Sequence, residues 1–95
     1  MADYKLSNAA KDDLIRIYHY GVVKFGMTQA DKYFDSFFKY FDIISQQPYA
    51  FESIDYIKKG YRRCACGSDS IYYKTDNDTV ETMAIVGSQD LRNVL

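Results

Sequence analysis

The spacing of apolar positions changes once along this chain, at Pro48. Before it the rhythm is mainly helical; after it the period is 2. Residues Ala2–Leu6 are the exception at the start: Ala2, Tyr4 and Leu6 alternate with Asp3 and Lys5, which predicts a half-buried first strand. Ser7 then stands where a helix N-cap belongs, with Asp12 and Asp13 early enough to be favoured by the helix dipole. A first helix is expected over Ala9–Phe25. Ala10, Leu14, Ile17 and Gly21 form one stripe, and Ile15, Tyr18, Val22 and Phe25 form a second beside it. Together they make an apolar arc wider than one core contact requires. Gly26 suits the residue after that helix, and Thr28 with Asp31 has the spacing of a capping box, with Asp in place of Glu. A second helix is expected over Gln29–Gln46. Its Ala30, Phe34, Phe37, Phe41 and Ile44 recur at the spacing of a helix–helix seam, flanked by Tyr33 and Tyr40 on one side and Phe38 on the other. Pro48 ends it.

Beyond Pro48 the alternation predicts strands at Tyr61–Cys66, Ile71–Thr75 and Thr79–Val86, with a short one at Ser53–Ile57. The links between them are short and rich in Gly, Ser, Asp and Asn, so neighbouring strands pair as antiparallel hairpins. Gly87 stops the last strand, and Ser88 can cap a short C-terminal helix through Val94. The expected class is α+β: an N-terminal strand, an αα hairpin packed on one face of a mostly antiparallel three- to four-stranded sheet, and a short C-terminal helix.

Composition narrows the function. Ninety-five residues correspond to one domain, residues 1–95, which buries only about 60–65% of its unfolded surface. Six Phe and ten Tyr supply core, and the tyrosines also suit contact surfaces. The formal net charge of −1 argues against a general nucleic-acid binder. Cys64 and Cys66, two apart on a strand, share a face and are poorly placed to bond each other, so they are expected as buried thiols. With His19 the only imidazole, no metal site and no cofactor are expected. The opening MADYKLS lacks the apolar core of a signal peptide, and no apolar run is long enough for a membrane span, so a cytoplasmic protein with no membrane partner is expected.

The order of short motifs resembles the ParE branch of the RelE/ParE superfamily, the toxins of bacterial type II toxin–antitoxin modules. The motifs are Leu6-Ser7, Ala10, Asp13-Leu14, Ile17, Phe25-Gly26, Gln29-Ala30, Tyr33, Pro48, Gly60-Tyr61-Arg62-Arg63, Gly67-Ser68, Ile71-Tyr72-Tyr73 and Asp90. Two departures stand out. Asp69 follows Gly67-Ser68 where many relatives carry His, and Met83–Val86 replaces an Arg-Ile-Leu-His run. The resemblance implies an inhibitor of DNA gyrase that stabilises the gyrase–DNA cleavage complex and is neutralised by a ParD-like antitoxin. DNA would be met only through gyrase or the antitoxin.

The alternatives are a RelE-type ribosome-dependent mRNA endoribonuclease and a non-toxic relative that only binds antitoxin. Metal-free RNA cleavage needs a base, an acid and cations for the phosphate. Residues 79–95 hold one Arg (Arg92) and no Lys, His or Tyr, and His19 lies on the first helix, so no catalytic residue is assigned. The basic cluster Lys58, Lys59, Arg62 and Arg63 is the candidate contact to gyrase or its DNA. The plainer reading is a solvated face, with one arginine paired internally to an acid such as Asp13 or Glu81 and the other solvated. The resemblance implies an antitoxin segment that folds onto the αα hairpin, and the surplus apolar residues Ile15, Tyr18, Val22, Phe34 and Phe38 are candidates to receive it. Simple core is the other reading of those five.

Overall fold

The computed structural model describes residues 3–87. Strand β1 (Asp3–Leu6) leads into helix α1 (Asn8–Phe25), then α2 (Met27–Gln46). Four strands follow: β2 (Glu52–Ser53), β3 (Tyr61–Cys66), β4 (Asp69–Asp76) and β5 (Thr79–Val86). They form a five-stranded sheet in the order β1-β5-β4-β3-β2. All neighbours are antiparallel except β1 and β5, which are parallel. The α+β class is as expected, but the sheet has one strand more than the upper expectation and is mixed. The helical hairpin intervenes between β1 and the remaining strands, and a crossover of that length permits parallel pairing. The expected C-terminal helix lies outside the described residues.

Local sequence accounts for most element ends. Ser7 caps α1, its Oγ accepting from the Ala10 amide at 3.0 Å. One residue, Gly26, joins the helices at φ +89°, a conformation that side chains disfavour, and its own amide closes α1 on the Val22 carbonyl. The capping box expected at Thr28 does not form. Helix α2 already starts at Met27, has no side-chain cap, and holds Thr28 inside its first turn. Asp31 instead accepts a hydrogen bond from the Tyr18 hydroxyl at 2.7 Å, tying the two helices together. The strand expected at Ser53–Ile57 is also corrected. Only Glu52 and Ser53 pair, because Ile54, Ile57 and Lys58 fold into a turn closed on the Ile54 carbonyl.

The expected stripe of α1 is the buried one: Ala10, Leu14, Ile17 and Gly21. Gly21 meets Ala30 of α2, where an added Cβ would stand 3.3 Å from the Ala30 Cβ. Phe37, Phe41 and Ile44 of α2 pack with Leu14 and Ile17 onto Cys64, Cys66, Ile71, Tyr73, Val80 and Ile85 of the sheet. Both thiols are buried and unbonded, as expected, and burial pushes the Cys64 thiol up to about 11. The opposite face of the sheet carries a second, smaller cluster: Ile54, Tyr61, Tyr72 and Val86, with Met83 against it.

A bulge in β5 couples α1 to the sheet. Tyr72 pairs with Ala84 but Tyr73 pairs with Thr82, so Met83 is skipped. Beside it β1 reaches only as far as Thr82. Helix α1 serves the backbone groups beyond that point. The Ser7 hydroxyl donates to the Met83 carbonyl (3.1 Å), Asp13 Oδ2 accepts from the Ile85 amide (2.9 Å), and Arg16 donates to the Ile85 carbonyl (3.2 Å). Three side chains thereby do the work of a missing stretch of strand.

Candidate functional site

Of the five residues expected to receive a partner segment, the structure brings Tyr18, Phe34 and Phe38 together. The Tyr18 and Phe34 rings meet edge to face at 5.4 Å, Phe34 and Phe38 lie 5.2 Å apart, and Phe38 continues to Phe41 at 5.4 Å and thence to Tyr4 of β1. This aromatic row is half-buried: Tyr18, Phe34 and Phe38 neither vanish into the core nor stand free. Val22 is likewise half-buried, and Ile15 is 54% exposed. The plain-core reading therefore fails for Ile15, and the others keep apolar surface toward solvent. Hydrogen bonding to Asp31, and then burial, raises the Tyr18 phenol above its ordinary value, so this link survives at any physiological pH. Further apolar side chains stand out around the hairpin tip, with Val23 88% and Phe25 62% exposed and Tyr20 and Met27 beside them in the chain.

The basic residues separate into three settings. Lys58 and Lys59 sit in the turn between β2 and β3, Lys58 over the Tyr61 ring at 5.8 Å. Arg62 points to the helix-covered face, where it donates to the Phe51 carbonyl at 2.7 Å and lies over the Tyr49 ring at 5.1 Å. Arg63 points to the opposite face. Its Nε donates to Ser70 at 3.0 Å, and its terminal nitrogen pairs with Glu52 at 3.2 Å. Burial pulls its guanidinium down, but hydrogen bonds with Tyr72 and Glu52 outweigh that and raise it. The expected internal pairing of an arginine with Asp13 or Glu81 does not form: the acid partner of Arg63 is Glu52, in an ion pair exposed on both sides. Asp13 is occupied by Ile85 and by Arg16, whose guanidinium is 3.5 Å away.

Burial pushes the Tyr73 phenol up to about 12, away from the range where it could act as a base. His19 is exposed on α1 beside the Tyr18 ring. Among the described residues no group of His, Cys, Asp and Glu is arranged to hold a metal ion, and no helix is long and apolar enough to cross a membrane.

One feature is not readable from periodicity. A cleft of about 540 Å3 opens between the hairpin and the β3–β4 turn, walled by Ile17, Tyr20, Gly21, Phe25, Ala30 and Tyr33 and closed at its polar end by Ser68 and Asp69. Its floor depends on Gly67. At φ +61° an added Cβ there would stand 2.5 Å from the Tyr33 ring. With that space open, the Tyr33 hydroxyl reaches the Cys66 carbonyl (2.9 Å) and Asp69 Oδ2 (2.8 Å). Burial, and then Asp69, push the Tyr33 phenol up to about 12, so it remains a donor. The Gly67-Ser68 turn is visible in the sequence; that Tyr33 packs beneath it is a tertiary fact with no local signal.

Comparison with known proteins decides the family. The family model for the ParE toxin of the type II toxin–antitoxin system parDE matches residues 4–91. The chain belongs to the ParE toxin family. It is 34% identical over 74 residues to Toxin ParE1 of Caulobacter vibrioides, covering 78% of this chain and 77% of that protein. Among solved structures it is similar in fold to a chain of the chromosomal ParDE system from P. aeruginosa, with a TM-score of 0.82 at 19% identity over 94% of this chain and 98% of that one. It is therefore a ParE-type toxin of a ParDE toxin–antitoxin system, a non-enzymatic toxin whose partner is a ParD-type antitoxin.

Proposed function

We propose that this ParE toxin inhibits DNA gyrase by binding and stabilising the gyrase–DNA cleavage complex, and that its antitoxin silences it by folding onto the αα hairpin. The observation that carries the reading is a pairing of features. Lys58 and Lys59 in the β2–β3 turn and Arg63 on the uncovered face of β3 supply cations, while the phenol directly across from Arg62, that of Tyr73, is held far from neutrality. Such an arrangement can grip an acidic surface or a phosphate backbone, yet it offers no base and acid for cleavage. Lys58, Lys59 and Arg63 would make the contact to gyrase or its DNA. Arg62 would shape the loop that presents them, since its guanidinium already holds Phe51. The half-buried row Tyr18–Phe34–Phe38, with Val22 and the exposed Ile15, would receive an apolar face of the antitoxin, whose helix would supply the anchors of a helix-in-groove contact.

The test is a supercoiling assay with purified gyrase and full-length protein. The expected result is loss of supercoiling with linear DNA trapped after detergent and protease treatment, both reversed by the antitoxin. Cleavage of mRNA on translating ribosomes, with gyrase untouched, would instead assign the ribonuclease reading.

A further inference from the structure

The cleft under the hairpin tip is distinct from the aromatic row, and its walls and its end differ in chemistry. The walls are apolar and aromatic. At the β3–β4 end stands Asp69, with its carboxylate half used: Oδ2 is held by the Tyr33 hydroxyl, while Oδ1 lies beside Gly87 with no hydrogen-bonding partner among the described residues. The other charged residue lining the cleft, Arg16, is already engaged with the Ile85 carbonyl and with Asp13. An incoming cation finds in Asp69 Oδ1 an acceptor without a hydrogen-bonding partner among the described residues, on a carboxylate held through Oδ2. Apolar walls ending in a fixed carboxylate match a side chain with an aliphatic stem and a cationic head.

We propose that the cleft is a specificity pocket for one lysine or arginine side chain of the antitoxin, its stem lying along Tyr33 and Phe25 and its head on Asp69. This rests on the reading that the antitoxin folds onto the hairpin, and it places a second anchor point on that path. Asp69 is then a selectivity determinant. A toxin of this family with a cationic or neutral residue at this position would discriminate against the same antitoxin, because a buried cation facing it would be left unpaired.

The experiment measures antitoxin binding to full-length toxin variants by titration at low and high salt. Asp69→Asn is expected to weaken binding about 10- to 100-fold at low salt, with the gap narrowing as salt rises. Asp69→Lys is expected to weaken it further. Reversing the antitoxin's basic residues to Glu one at a time should then restore affinity to Asp69→Lys at a single position. Tyr33→Phe, which removes the hydroxyl and leaves the carboxylate, separates a positional effect from a charge effect and is expected to cost less than Asp69→Asn. Unchanged affinity in Asp69→Asn, or an affinity loss with no charge-reversal rescue, overturns the proposal. Phe34→Ala run in parallel tells the two readings apart. Loss there with none at Asp69 leaves the hairpin reading intact and removes the pocket; loss at neither places the antitoxin elsewhere and ends both.

Discussion

Arg62 and Arg63 are neighbours on β3, and Tyr73 and Tyr72 are their cross-strand partners on β4, so each face of the sheet carries one Arg–Tyr pair. The pairs are chemically identical and do different work. On the helix-covered face, Arg62 donates to the Phe51 carbonyl and Tyr73 to the Pro48 carbonyl, both at 2.7 Å. Tyr49 lies between these acceptors in the chain and stacks on the arginine, its hydroxyl 3.3 Å from Thr75. This pair fastens the connection from α2 to β2 to the sheet. On the other face, Arg63 takes side-chain partners, Ser70, Glu52 and Tyr72, and its ion pair is open to water. Backbone acceptors cannot move away without unfolding the segment they belong to; side-chain acceptors can turn aside when a better partner arrives. The difference suits one arginine to architecture and the other to recognition.

Truncating Tyr73 tests the architectural side most severely. The residue is fully buried in the cluster that joins the hairpin to the sheet. Tyr73→Ala removes that aromatic volume and the bond to Pro48 together, and a loss of roughly 3–5 kcal/mol is expected from chemical denaturation. A chain this size has little more than that to lose. A loss under about 1 kcal/mol would mean that the 48–51 connection is held by something other than this pair.

Removing Arg62 comes next. Arg62→Ala leaves the Phe51 carbonyl without its charged donor and Tyr49 without its cation, with an expected cost of about 1.5–3 kcal/mol. The effect should be local: amide exchange should rise over residues 48–53 before it rises in β4 or β5.

What the residues declared in advance, and what they concealed, follows the same division between local and tertiary causes. Strands β3 and β5 lie where alternation and turn residues say they should, since Gly67-Ser68 after β3, Asn77-Asp78 before β5 and Gly87 after it are strong short-range signals. The buried stripe of α1 and the stop at Pro48 were equally plain. That Arg62 shares the face of Cys64 followed from period 2 alone. The parallel pairing of β1 was not visible, because strand order across a helical hairpin is set by packing rather than by any neighbouring residue. The capping box failed because Gly26 lets α2 begin two residues early, so Thr28 is no longer at a cap. The bulge at Met83 was hidden as well, since a skipped residue leaves no mark in a run of apolar side chains. Of the candidate site, the aromatic row was legible as surplus apolar arc. The cleft was not, because it is made by the hairpin tip meeting a distant turn.

Alkaline pH offers a gentler probe of the covered face. Tyr73 is raised to about 12 by burial, against 10 for a free phenol. The unfolded chain therefore gives up this proton first, and stability falls as pH rises from about 10 toward 12. Below 10 the contribution is fully present. Tyr33 is raised to the same level and acts in the same window. Tyr73→Phe should cost about 1 kcal/mol at neutral pH, for the lost bond to Pro48, and should flatten the decline between pH 10 and 12 without abolishing it. An unchanged slope would mean that Tyr73 titrates normally and is less enclosed than its packing indicates.

The smallest expected effect on stability is also the one that tests the proposed function most directly. Arg63→Gln removes a guanidinium whose ion pair with Glu52 is exposed on both sides, 39% and 53%. Exposed pairs of this kind are worth about 0–1 kcal/mol, and Gln can still hydrogen-bond toward Ser70, so the unfolding midpoint should barely move. The corresponding change at Arg62 should lower it clearly. Gyrase inhibition should respond in the opposite sense. If the freely partnered face grips the enzyme or its DNA, Arg63→Gln should weaken inhibition several-fold while the protein stays folded, and Lys58→Gln with Lys59→Gln should add to the loss. Phosphate contacts also predict that the wild-type advantage shrinks as salt rises, since part of it is counterion release. An Arg63→Gln protein that inhibits as well as wild type at low salt, alongside an Arg62→Gln protein that is folded yet inert, would exchange the roles assigned to the two faces.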